Sequence, residues 1–129
     1  MSDDAWLAEI GIVNETTSVA SAGNVSIFRS AVDACLFFDH YCGSGFVLSL
    51  DGDRIEINDG TSEDIEVRRV PYPDGKQIAR AWLEARAAKT LAERKRAARR
   101  GNVVLNAVEV REELPSSTVG LVAYIGFSG

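Results

Sequence analysis

Residues 46–57, FVLSLDGDRIEI, alternate apolar and polar side chains on both sides of an Asp-Gly pair. Phe46, Leu48 and Leu50 fall on one face of the first arm, and Ile55 and Ile57 on one face of the second. Period-two alternation is the signature of a half-buried strand, and glycine supplies the positive φ that a tight turn needs. The pattern predicts a β-hairpin. Further along, DIEVRRV repeats the period with Ile65, Val67 and Arg69, and Pro71 and Pro73 end that third strand.

Elsewhere the period changes to that of a helix. Ala31, Ala34, Cys35, Phe38, Tyr41 and Cys42 share a stripe, Ser30 stands at the N-cap position with Asp33 in the first turn, and Gly43-Ser44-Gly45 stops the run. A longer helix is predicted from an N-cap at Asp74 to Arg100, with Gly101 as its stop. Its first half carries Ile78, Trp82 and Ala85 on one side and Leu83 and Leu91 roughly opposite, around Ala87, so more than a sheet should cover it. Residues 4–13, DAWLAEIGIV, fit helix or strand, and NETTSVASAGN at 14–24 reads as loop. NVVLNAVEV and STVGLVAYIGF read as a C-terminal strand pair joined through Pro115.

This order predicts a single α+β domain over residues 1–129: an antiparallel sheet with a β-hairpin, two main helices packed on it, and the C-terminal strand pair. The expected core includes Phe37, Phe38, Phe46, Leu48, Leu50, Ile55, Ile57, Trp82 and Tyr124. A length of 129 residues suffices to bury such a core, and 46% hydrophobic with 26% charged residues is a globular balance. No apolar run approaches the roughly 18 residues of a membrane span, and MSDDAWLAEIG lacks the basic start and apolar core of a signal peptide. A cytoplasmic location is expected, which makes the sequons at Asn14 and Asn24 chance matches.

Candidate chemistry is sparse. Asp51, Asp53, Glu56 and Asp59 crowd the hairpin, but a calcium loop starting at Asp51 would need an oxygen ligand at Ile55, glycine at Glu56 and a carboxylate at Ser62. Cys35 and Cys42, seven apart on one helix, stand about 10.5 Å apart along its axis, too far for a disulfide. His40 lies between them, yet a fourth zinc ligand and the usual CxxC spacing are missing. No metal or cofactor is expected. As the one histidine in the chain, His40 would have to serve any Ser-His or Cys-His nucleophile, and its FFDHYC setting suits packing better.

Charge is distributed unevenly. Residues 76–100 hold nine Lys or Arg against two Glu, a balance of +7; the rest holds five Arg against seventeen acids, −12; together they give the overall −5. The basic helix end has three readings: cations suited to the helix dipole, a nucleic-acid contact over residues 86–100, or a contact with the acidic face of a second copy, giving a homodimer through the long helix. The acids of the hairpin and the next strand, Asp51, Asp53, Glu56, Asp59, Glu63, Asp64 and Glu66, are solubilising charge or a docking surface for a basic protein.

The succession WLAEIGIV, SAVDACLFFDHY, FVLSLDGDRIEI, DIEVRRV and KQIARAWLEA, spanning Trp6 to about Leu83, resembles small bacterial immunity proteins of polymorphic or contact-dependent toxin systems. In those, a helix leads into a strand, a D-x-x-G-type turn, two more strands and a helix; here the matching turn is Asp51-Gly52-Asp53. The basic helix end and the C-terminal pair have no counterpart in that pattern. The resemblance implies a non-enzyme that binds and blocks a cognate protein toxin; the acidic clustering adds the expectation of a basic surface on that partner, with Asp51, Asp53, Glu56, Asp59, Glu63 and Asp64 as the contact residues. The alternative is a nucleic-acid-associated regulatory protein acting through residues 86–100.

Overall fold

The structure, a computed structural model, describes residues 5–57, 66–99 and 114–128. A short 3-10 turn, Ala5–Glu9, leads into β1 (Gly11–Glu15), β2 (Asn24–Phe28), α1 (Ala31–Tyr41), β3 (Phe46–Ser49), β4 (Asp53–Ile57), β5 (Val67–Pro71), α2 (Gly75–Arg99) and α3 (Thr118–Ile125). The strands form one antiparallel sheet in the order β2-β1-β3-β4-β5. The α+β class, the hairpin at Asp51-Gly52 and the two main helices agree with the sequence reading.

Burial on both faces of the sheet organises the fold. In register, Ile12 stands beside Ile27 and Leu48, and with Ile10 and Val25 this face packs against Ala79, Trp82, Leu83 and Ala87 of α2 and Leu121 and Val122 of α3. The next position along each strand points the other way. Val13, Val47, Phe28 and Ile55 therefore meet Ala31, Ala34 and Cys35 of α1. The molecule is a three-layer sandwich, with α1 on one face and α2 with α3 on the other. Of the expected core, Leu48, Ile55 and Trp82 are fully buried, while Phe37, Phe38, Phe46, Leu50, Ile57 and Tyr124 are partly buried around them.

Local signals explain the element ends. Ser30 caps α1, its hydroxyl accepting from the Asp33 N–H at 3.2 Å, as its position predicted. The Asn14 side chain, fully buried, accepts from the Gly23 N–H at 2.8 Å and donates to the Ser21 carbonyl at 2.9 Å, so it fastens the β1–β2 connection. That internal staple lets residues read as plain loop, 14–24, end in paired strand at both extremities. Asp74 does precede α2, but its φ is +56°, and its backbone carbonyl accepts from the Ile78 N–H at 2.9 Å.

Two expectations are overturned. The second member of the C-terminal strand pair is helix α3, capped by Ser117, whose hydroxyl accepts from the Gly120 N–H at 2.9 Å. Leu121 and Val122 are fully buried and Tyr124 and Ile125 partly so, a helical arc that an alternating-strand reading of GLVAYI overlooked. NVVLNAVEV and Gly101 lie outside the described residues. Ala85, expected on the buried side of α2, is exposed; Ala79, Leu83 and Ala87 fill that side instead.

Candidate functional site

The acidic residues singled out in the sequence divide by strand parity. Asp53 pairs with Pro71 and shares the face of Ile55, whereas Glu56 pairs with Arg68 on the opposite face, beside Arg54. Glu56 is enclosed by cations: Arg54 Nε lies 3.3 Å from one carboxylate oxygen and Arg68 donates to the other. The hydrogen bond from Arg68 is the largest influence and, with the charges of Arg68 and Arg54, holds the Glu56 carboxyl below the usual range against the opposing effect of desolvation. Asp59, Glu63 and Asp64 lie outside the described residues.

What the fold does bring together is the hairpin tip. Asp51 and Asp53 flank Gly52, and the start of α2 adds Asp74. An open depression of about 390 Å³ lies among these acids, Tyr72, Lys76 and Gln77. The turn is closed by Gly52 N–H donating to the Ser49 carbonyl at 3.0 Å, with Ser49 Oγ accepting from Asp53 N–H at 3.1 Å. Gly52, at φ +89°, and Gly75 are both buried, in direct backbone contact, so the tip is fixed against the first turn of α2. Asp74 was read only as a cap. The signal available was a further Asp-Gly pair, Asp74-Gly75, in the turn sequence Pro73-Asp74-Gly75.

A second recess, about 280 Å³, lies where β3 and β4 run past their one paired position, Leu48 with Arg54. Cys35, Phe38, Asp39, Val47, Ile55 and Glu56 line it. Burial, with the nearby charges of Asp39 and Glu56, pushes the Cys35 thiol up to about 11, and its Sγ contacts the Ile55 carbonyl at 3.8 Å. A thiol kept protonated is a poor nucleophile. His40 is exposed, with its ring against Tyr41, and does not meet Cys35 in a hydrogen bond. Among the described residues no group of three His, Cys, Asp or Glu is placed to hold a metal ion, and no helix is long and apolar enough to cross a membrane.

The basic end of α2 is a separate surface. At 25 residues the helix is about 37 Å long. Thr90, which accepts from Arg86 at 2.6 Å, is its last buried residue among those described. Arg94 lies over the Tyr124 ring at 4.6 Å and Arg96 is exposed.

These features define a single-domain α+β protein with an antiparallel five-stranded sheet and opposed charged regions. Comparison with protein-family models, with curated proteins and with solved structures gave no significant match.

Proposed function

We propose that this protein is a non-catalytic inhibitor that docks a basic protein surface, in the setting its sequence resembles, that of an immunity protein neutralising a cognate bacterial toxin. The observation that supports this reading is the hairpin tip, where Asp51, Asp53 and Asp74 sit on a junction held rigid by the Gly52–Gly75 contact. Preorganised like charge on a fixed scaffold attracts an oppositely charged partner and raises its association rate without chemistry. The contact set inferred from sequence is thereby narrowed: Asp51 and Asp53 belong to it, Asp74 joins it, and Glu56 is already neutralised by Arg54 and Arg68. The test is association with a basic partner recovered from the native host. The triple variant Asp51→Lys, Asp53→Lys, Asp74→Asn should slow association by about tenfold and flatten its salt dependence. An unchanged rate would overturn the reading.

The second reading, nucleic-acid contact through α2, draws on the exposed Arg94 and Arg96 toward the C-terminal end of the helix. Tyr124, the aromatic group beside them, already stacks with Arg94, which leaves it unavailable to a base. Duplex binding that falls steeply with salt and disappears on neutralising Arg94, Lys95 and Arg96 would favour this reading over the first.

A further inference from the structure

One exposed face of α2 joins the two charged regions of the molecule. Both of its ends carry unmatched charge. Among the described residues the carboxylates of Asp51, Asp53 and Asp74 at one end, and the cations of Lys95 and Arg96 at the other, take part in no ion pair. Lys76 also lines the acidic depression but leaves it net negative. Positions 74 and 95 stand about 30 Å apart along the helix, some three Debye lengths, so the two ends of one molecule cannot neutralise each other. Between them Ala81, Ala85, Ala88 and Ala92 are all exposed and recur at spacings of four, three and four residues. That is the repeat of a helix–helix seam, and it lies opposite Ala79, Leu83 and Ala87, which face the core. The same spacing leads back through Gln77 into the depression and forward to Lys95 and Arg96.

We infer that a second copy of this chain covers this face, α2 against α2 and antiparallel, about a two-fold axis. An axis passing between Ala85 and Ala88 sets Ala85 opposite Ala88 of the partner copy, and Ala81 opposite its Ala92. Side chains this small let the two helices approach closely. The axis also brings Lys95 of the partner copy within about one turn of position 74, and by symmetry does so twice. The flanks agree as well. Lys95 and Gln77 are eighteen residues apart, five full turns, so both lie on one flank of the seam. An antiparallel two-fold keeps each flank on its own side. Lys95 of one copy therefore meets the flank on which Gln77 of the other lines the acidic depression. A parallel pair would instead set Lys95 and Arg96 beside their own counterparts, like charge on like. Charge complementarity thus selects both the occupant and its direction. The pairing needs only this chain, so it stands apart from the basic partner proposed above, which would compete for the same acids.

Sedimentation velocity on the full chain, from about 1 to about 100 μM, should show the mass rising to twice that of the monomer. Ala85→Glu, an exposed change to another good helix former, should leave a folded monomer, with circular dichroism as the check on folding. Lys95→Glu with Arg96→Glu should weaken self-association at least about tenfold, and so should Asp51→Lys with Asp53→Lys. An equal mixture of these two double variants should dimerise again, because each end then meets its opposite charge. In a Cys42→Ser background, Ala81→Cys mixed with Ala92→Cys should form a disulfide-linked dimer under mild oxidation. Ala81→Cys alone should not, since its two copies stand about 16 Å apart along the seam. A wild type monomeric throughout, a dimer indifferent to Ala85→Glu or to the charge reversals, a mixture that stays monomeric, or self-linking by Ala81→Cys would each overturn the inference.

Discussion

Gly52 and Gly75 touch through their backbones: a methyl group placed on Gly75 would run into the Gly52 carbonyl, and one on Gly52 would run into the amide of Lys76. This contact joins the β3–β4 turn to the first turn of α2 and sets where the acids of the tip stand. Gly75→Ala should therefore destabilise the fold by about 2–4 kcal/mol, since backbone must move to admit the side chain. Gly52→Ala adds the strain of φ +89° to the same clash and should cost at least as much. Gly43→Ala, where nothing lies within 4 Å, is the control and should be close to neutral. Urea unfolding of the three variants measures the difference.

Trp82 is 1% exposed, and its indole N–H donates to the Val19 carbonyl at 2.9 Å, tying α2 to the β1–β2 connection. Trp82→Ala should cost about 3–5 kcal/mol, chiefly from lost packing and the cavity left behind. Trp82→Phe keeps most of the volume but orphans the carbonyl, for which about 1–2 kcal/mol is expected. Arg96→Ala, on the exposed face of the same helix, should change stability by less than about 0.5 kcal/mol. Equal losses at positions 82 and 96 would place the buried face of α2 wrongly.

The hairpin, α1 with its Ser30 cap, and α2 were legible because each rests on local pattern: alternation around Asp51-Gly52, a stripe at helical spacing, and a long run of good helix formers. What stayed hidden depended on distant groups. β2 is five residues long, and its pairing is secured by the Asn14 side chain, whose buried staple resembles loop composition in sequence. α3 is short and apolar, and GLVAYI carries too few residues to separate a buried helix from a strand. The site was only half legible. Strand parity alone puts Asp53 and Glu56 on opposite faces, but the approach of Asp74 to Asp51 is made by tertiary contact between two glycines.

The two thiols should differ in reactivity. Cys35 is buried under the sheet with its pKa pushed up to about 11, while Cys42 is only partly buried and its pKa is raised by desolvation and then by Glu15. Iodoacetamide at mildly alkaline pH should label Cys42 first and reach Cys35 only as the chain opens. The sign for stability follows from the raised value. The thiol form of Cys35 favours folding below its ordinary pKa of 9.0, and that contribution is lost as pH rises toward about 11. Cys35→Ala should lessen the alkaline loss of stability, read from thermal melts between pH 8 and 11.

Glu56 should behave as a structural acid, and Asp51, Asp53 and Asp74 as free surface charge. Because Arg54 and Arg68 hold the Glu56 carboxyl below its usual range, its contribution is present above the unfolded-state pKa and is lost as pH falls through the folded one. Glu56→Gln should accordingly reduce the acid-limb slope of stability by a small amount, since the pair is exposed. Glu56→Lys would set three cations on one face of β4 and β5 and should lower the melting temperature. A neutral tip variant, Asp51→Asn, Asp53→Asn, Asp74→Asn, should leave it nearly unchanged or raise it, because like charges are removed from one depression; asparagine at 74 keeps a residue that tolerates φ +56°. Thermal melts of the three variants across pH 3–8 measure this. Equal destabilisation by the tip variant and Glu56→Lys would show that the tip acids hold the fold together, and they could then no longer be assigned to a partner.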